Sequence, residues 1–324
     1  MYTFERIKVY YLLLSTELST AKLHVQQQTR IQVNNQTIEH MMLYSTDKLL
    51  MSVFKQKNIK LVEIGSGEVL SEIALQDKPR LLCMAANHLA AAALVNKRIQ
   101  FIKVNGSTLK EESVLNVNID VFGVAAHNDN LVVSHDPGLI LSMNGTVIQK
   151  QDNTTAGREV CKTPQVIEPT CKERSHDPPG LQIISRDGAV IHKQDNTTAG
   201  REVFKHPRWI ATTSDSIYVT DWGTHQITRL DSSLTILQTF TGSLLKDPHG
   251  IISLSRDQLL VCCKNNNRIV QIRPSTNSIS VLLEKQHGIE SPQSLGFCKV
   301  QKKLYVAPNS DKVLVYQRCC EHLF

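Results

Sequence analysis

Any thiol or metal chemistry in this chain would fall to Cys83, Cys161, Cys171, Cys262, Cys263, Cys298, Cys319 and Cys320. A structural zinc site needs closely spaced ligand pairs that can complete a tetrahedron, and these spacings supply no such set. Cys262 and Cys263 are adjacent in a β-rich run, where neighbours point to opposite faces, so they cannot easily grip one ion. Most of the cysteines read as buried or idle thiols. His135 and His176 suggest an acid–base or metal pair, but each stands in the same tetrapeptide, Ser-His-Asp-Pro, and the two are copies of one position. They read as turn residues ahead of a proline. No Gly-x-Ser-x-Gly element with His and acidic partners supports a serine hydrolase.

Cations and aromatics give a more coherent set. Lys55, Lys57, Lys97, Arg98, Lys264, Arg268 and Lys312 fall on or beside polar turns, and Arg80, His206, Arg208 and His249 fall just ahead of apolar runs. With Trp222 and His225 they form a group that would pair phosphates and stack bases, the two needs of single-strand RNA recognition, or grip a protein surface. Asp77, Asp221, Asp247 and Asp311 lie close to the same turns and are expected to offset part of that charge.

The elements that must bring these residues together repeat about every 40 residues, the period of a propeller blade. Starting at Asp47, Asn87, Asp215, Arg256 and Lys302, the chain runs through a β-rich stretch, a polar turn and a second β-rich stretch. Innermost strands are expected over residues 37–44, 80–86, 121–126, 209–213, 250–254 and 294–298, giving six four-stranded blades. Pro79, Pro207, Pro248 and Pro292 stand at the start of such strands, where a missing N–H is tolerated. Asn58, Asn96 and Asn267 suit the turns because Asn accepts positive φ at low cost. Closure requires one more strand, since few residues follow Tyr316, and residues 22–33 have the length and β-branched content to supply it from the N-terminal side.

One stretch departs from this rhythm. The segment from Ser134 is followed by a near copy from Ser175, with the run KQDNTTAGREV identical in both. The copy starts in mid-blade, so one seat in the ring has two candidate occupants. The second copy keeps Phe204 and runs straight into the next blade, whereas the first has Cys161 at the matching place and runs into a proline-broken linker. The second is therefore expected to hold the seat and the first to be an irregular insertion. The expected organisation is a tail over 1–21, a propeller over 22–318 with the duplicated segment 134–164 and 175–207 and linker 161–174, and a tail over 319–324.

With 324 residues, 41% of them hydrophobic, the chain is long enough for a single all-β domain. A formal charge of +6 favours anionic partners only mildly. The apolar stretch from Val9 to Leu14 is too short to span a bilayer and marginal as a signal peptide. A cytoplasmic, monomeric protein without a membrane partner is expected.

From His206 onward, DPHGIISLSRDQLLVCCKNNNRIVQI and HPRWIATTSDSIYVTDWGTHQITRL resemble NHL repeats, in which a Pro-x-Gly-Ile-type lead-in opens a β-hairpin with an Asn or Asp turn. The resemblance covers roughly residues 37 to 318 and is similar to the C-terminal propellers of tripartite-motif proteins. It departs at Pro207, where the lead-in lacks Gly, and in the Arg80 blade. The resemblance implies the recognition half of a ubiquitin-ligase-like system, without RING or B-box chemistry in this chain. The expected function is non-catalytic binding of a protein partner on one propeller face. Single-stranded or structured RNA is the alternative ligand, and no cofactor is expected. A metal-dependent propeller hydrolase is the alternative of another class, opposed by Glu39 being the one obvious carboxylate on the expected innermost strands.

Overall fold

The computed structural model describes residues 25–32, 37–117, 119–135, 140–141, 147–149, 179–194, 197–198, 201–310 and 312–318. Six antiparallel four-stranded sheets form a six-bladed β-propeller, and consecutive innermost strands pack against one another until the last meets the first. From the axis outward, blade 1 comprises His40–Leu43, Lys48–Val53, Asn58–Glu63 and Val69–Ala74. Blade 2 comprises Pro79–Ala86, Leu89–Leu94, Arg98–Asn105 and Thr108–Asn116. Blade 3 is built from Val121–His127, Asn130–His135, Gly180–Ile184 and Val190–Gln194. Blade 4 holds Pro207–Thr212, Ile217–Asp221, Gln226–Leu230 and Ile236–Phe240, and blade 5 holds Pro248–Ser255, Gln258–Cys263, Arg268–Arg273 and Ser278–Leu283. Blade 6 contains Pro292–Cys298, Lys303–Pro308 and Lys312–Arg318, completed by Val25–Gln32. No helix among the described residues is long and apolar enough to cross a membrane.

The second and third strands read as continuous apolar runs because each is buried on both faces. In KLLMSV, Leu49 and Met51 pack toward blade 6 while Leu50 packs toward blade 2. The six core clusters lie at the six junctions between neighbouring blades. Cys262 and Cys263 fall in different clusters, on opposite faces of one strand as their adjacency predicts. Burial pushes the Cys263 thiol up to about 12 and the Cys262 thiol well above its ordinary value, which keeps both as inert core groups.

Closure follows the expectation. Val25–Gln32 pairs antiparallel with Lys312–Arg318, from Val25 opposite Arg318 to Gln32 opposite Lys312, and so supplies the outer strand of blade 6.

Blade 3 takes its outer half from the second copy. Asn130–His135 pairs with Gly180–Ile184, with His135 opposite Gly180 and Leu131 opposite Ile184. The first copy contributes a separate two-stranded pair, Ile140–Leu141 with Val147–Gln149. Strand period explains the choice. The first copy reads Gly138-Leu139-Ile140-Leu141-Ser142 where the second reads Gly180-Leu181-Gln182-Ile183-Ile184-Ser185, one residue longer. Leu181 and Ile184 anchor the two opposite faces of this strand, at 0% and 2% exposure. In that seat the shorter copy would place either Gly138 at the Leu181 position or Ser142 at the Ile184 position, emptying one face of its anchor. Phe204, fully buried between blades 3 and 4, adds to the preference.

A glycine sets the approach of blade 4 to blade 3. A Cβ on Gly123 would lie 1.9 Å from the Arg208 carbonyl oxygen and 2.6 Å from Ser134 Oγ. That space is taken by a clasp in which Ser134 Oγ accepts from Gly123 N at 2.9 Å and donates to Arg208 O at 2.8 Å. Ser52 Oγ likewise donates to Arg80 O at 2.6 Å.

Candidate functional site: the channel mouth

Every blade from 2 to 6 has a register break near the start of its innermost strand, between Pro79 and Leu82, Val121 and Gly123, Pro207 and Ile210, Pro248 and Ile251, and Pro292 and Ser294. Such bulges re-aim the residues they carry. The first residue of each lead-in, Pro79, Val121, Pro207, Pro248 or Pro292, is buried, and the next is Arg80, Phe122, Arg208, His249 or Gln293. Ile38 and Glu39 repeat the pattern in blade 1. These six following side chains crown one end of the central channel.

Contacts across the blades show their convergence. The guanidinium carbons of Arg80 and Arg208 lie 4.7 Å and 3.9 Å from the Phe122 ring centroid, and Arg208 also lies 5.3 Å from that of Trp222. Trp209 stands edge-on to Phe122 and is tilted over His249 at 4.2 Å. Gln293 Nε2 donates to the Glu39 carbonyl at 3.0 Å, linking blades 6 and 1. The serine clasps hold the backbone of both arginines, so these cations are positioned from the preceding blade.

The site's charges are partly matched. Arg80 donates to Asp120 Oδ1 at 3.2 Å and to Val121 O at 2.8 Å. His249 Nε2 donates to Asp247 Oδ1 at 3.1 Å. Burial lowers the His249 pKa below the usual histidine value, against the pull of Asp247, so its ring is neutral at pH 7. Burial alone would raise Asp247, but its bond to His249 and the nearby Lys264 bring it below the usual carboxylate range. Glu39 is pushed up by burial, opposed by Arg208, Lys264 and Arg80. Below the mouth the channel opens into a cavity of about 320 Å³ whose lining includes His40, Met42, Cys83, Met84, Thr212 and Ser253. Burial drives the Cys83 thiol up to about 12, too high for a nucleophile at neutral pH.

The residues singled out from sequence divide into two groups. Arg80, Arg208 and His249 meet at the mouth, Lys264 is within electrostatic reach of both Glu39 and His249, and Trp222 stacks on His206 at 4.4 Å with planes 11° apart. His225 is one step outward, its Nδ1 accepting from Asp247 N at 3.1 Å. The others belong to the rim. Lys55 and Lys57 are exposed, with Lys57 Nζ donating to Gln76 O at 3.2 Å. Arg98 pairs with Asp77 at 3.1 Å and Arg268 with Glu284 at 3.7 Å, while Lys97 and Lys312 are half-buried at the edges of their turns. These pairs confirm that the second-to-third turns and the lead-ins share one face.

Two details differ from the sequence reading. Asn96 and Asn267 take positive φ in their turns, but in blade 1 Lys57 does so and Asn58 is a buried strand residue whose amide donates to Glu72. Asp221 does not screen the rim. It is buried and accepts from the backbone N–H groups of Lys205, His206, Gly223 and Thr224, fixing the lead-in and the turn that present His206 and Trp222. Phe122, Trp209 and Gln293 escaped the sequence reading, though counting one residue past each lead-in position would have found Phe122 and Gln293. Among the described residues no group of three or more His, Cys, Asp or Glu is arranged to hold a metal ion. Cys161, Cys171, Cys319, Cys320 and His176 lie outside the described residues.

No protein-family model matches the chain, and no curated protein matches it. Among solved structures it is similar to the WD40 β-propeller domain of Doa1, at 11% identity over 91% of this chain and 97% of that one, with a TM-score of 0.56. It is also similar to streptogramin B lyase, at 12% identity over 93% and 100% of the two chains and a TM-score of 0.58. A catalytically inactive virginiamycin B lyase from Staphylococcus aureus with quinupristin gives 16% identity over 88% and 81%, with a TM-score of 0.54. At these identities the likeness is one of fold, shared by a WD40 domain and by lyases alike.

Proposed function

We propose that this chain is a non-catalytic recognition module that binds a protein partner on the face formed by its lead-ins and second-to-third turns. The convergence of Arg80, Phe122, Arg208, His249, Gln293 and Glu39 from six blades onto one end of the channel carries this reading. Arginine and aromatic side chains dominate protein recognition because they combine large contact area with directional polar groups. The acidic groups Asp120 and Asp247 are engaged by Arg80 and His249, which leaves them poorly placed as metal ligands or general bases. In the resemblance to NHL propellers of tripartite-motif proteins, this would be the substrate-recognition part of a ubiquitin-ligase-like system.

Capture from cell extract, followed by cross-linking to map the contact, tests the reading. Cross-links should cluster on the mouth face, and the double variant R208E/W222A should lose the same partners; cross-links confined to outer strands would refute it. The stack of His206 on Trp222 beside Arg208 favours RNA as the second reading. It predicts salt-sensitive binding to a random RNA pool that disappears when Lys264 and Arg268 are both reversed in charge.

A further inference from the structure

The cavity on the propeller axis is walled by the middle of all six innermost strands, at residues 40–42, 81–84, 124–126, 209–212, 251–253 and 295. Short side chains on three successive blades, Ala126, Ala211 and Ser253, leave the space unfilled. At about 320 Å³ it lies at the lower end of ligand-pocket sizes. At interior packing density that is room for roughly a dozen non-hydrogen atoms. No Lys, Arg, Asp or Glu is among the described residues that line it, so an ion of either sign would lose its hydration without meeting a counter-charge.

The polar side chains of the wall are not equivalent. Thr212 Oγ1 donates to Ala126 O at 2.8 Å and Ser253 Oγ donates to Thr212 O at 3.1 Å, so both hydroxyl protons are committed to the wall itself. His40 differs. Its Nδ1 accepts from Leu82 N at 3.2 Å, which leaves the proton of the neutral ring on Nε2. Burial lowers this histidine to about 4, so the neutral ring is the form present at pH 7. Nε2 has no hydrogen-bond partner among the described residues, and it is not one of the atoms closed off from solvent. The bond from the neighbouring blade fixes the ring, so one N–H donor is held in place in a cavity without charge, and a ligand need not pay to order it.

We propose that the axial cavity binds a compact uncharged molecule that offers a carbonyl-type acceptor to His40 Nε2–H and packs its hydrocarbon body against Met42, Met84 and Ile252. This site is separate from the partner-binding face at the mouth and does not rest on that reading.

The test titrates the full chain with three molecules of one shape, 1-indanone, indane and indane-1-carboxylate, followed by saturation-transfer NMR. Saturable binding of 1-indanone is expected, with indane about tenfold weaker for want of the acceptor and the carboxylate not bound. Ala126→Leu fills part of the space and should abolish binding of both neutral molecules. His40→Phe keeps a ring but removes the donor, and should bring 1-indanone and indane to equal affinity; the comparison is made within one variant, so a change in stability cancels. Should either variant fail to fold, the natural chain labelled with 13C-methyl methionine carries the test: nuclear Overhauser contacts from 1-indanone should reach the Met42 and Met84 methyl groups and not that of Met51, which is fully buried. Absence of saturable binding would overturn the proposal and leave a channel that holds only water. Binding that survives Ala126→Leu, a ketone preference that survives His40→Phe, or contacts that miss both methionines would overturn it equally.

Discussion

Excising residues 136–176 joins His135 to Asp177 and restores an uninterrupted Ser-His-Asp-Pro passage from the second strand of blade 3 into its third. No residue of a described blade strand is removed. The chain linking His135 to Gly180 shortens from residues 136–179 to residues 177–179, roughly fifteen-fold, and the logarithmic closure entropy of such a loop is worth about 2 kcal/mol in favour of the shorter form. For a domain of this size that is a rise in Tm of several degrees. The reciprocal excision of residues 161–203 joins Val160 to Phe204 and forces the first copy into the seat. Its missing strand residue then leaves the Leu181 or the Ile184 position without an anchor, at about 3 kcal/mol. Calorimetry on the two variants and the natural chain reads both effects. The first variant should melt at or above the natural chain and the second clearly below it. If the first variant loses its cooperative transition, or if the two melt alike, the assignment of the blade to the second copy is wrong.

Three further outcomes follow from the packing. Gly123→Ala places a methyl against the Arg208 carbonyl and should cost about 1–3 kcal/mol, measurable in urea; an unchanged midpoint would mean that the clasp between blades 3 and 4 is looser than described. Deleting residues 1–33 removes the strand that closes blade 6 and should abolish cooperative unfolding or cause aggregation, whereas deleting residues 1–21 should not. Equal melting of both truncations would show that the ring does not depend on this strand. Burial within the channel wall lowers His40 to about 4 from an ordinary value near 6.5, and its Nδ1 accepts from Leu82 N at 3.2 Å. The folded state therefore resists protonation. Its contribution is complete above about pH 6.5 and is lost as pH falls toward 4, by at most about 3 kcal/mol. His40→Asn, which can still accept from Leu82, should flatten that part of the stability profile; an equally steep profile would assign the dependence to other groups.

The blade lead-ins show how far the site could be read in advance. Arg80, Arg208 and His249 were recognisable because each follows a proline that marks the start of an innermost strand. Phe122 was not, since Val121 stands where blades 2, 4, 5 and 6 have proline, and Gln293 follows its proline without the charge that drew attention to the rest. Lys55, Lys97, Arg98 and Lys312 belong by sequence to one basic rim because turns of successive blades share a face. A propeller turn near the rim stays far from the axis, and Arg98 and Arg268 find local carboxylates there.

The sequence by itself determined the six-bladed architecture, its closure from the N-terminal side and the preference for the second copy in blade 3. Each of these rests on local information: period-two apolar runs, turn residues, prolines at strand starts, and a second copy that keeps Phe204 and runs straight into the next blade. Only the tertiary structure decided that Arg80, Phe122 and Arg208, from three successive blades, stack into one cluster, and that Glu39 from blade 1 shares its field. It also decided that Asp221 is consumed by four backbone donors. The physical reason is geometric. Ring closure and the bulges at the lead-ins bring residues from distant parts of the chain onto one axis, and no local pattern in a strand records which side chain of another blade it will face.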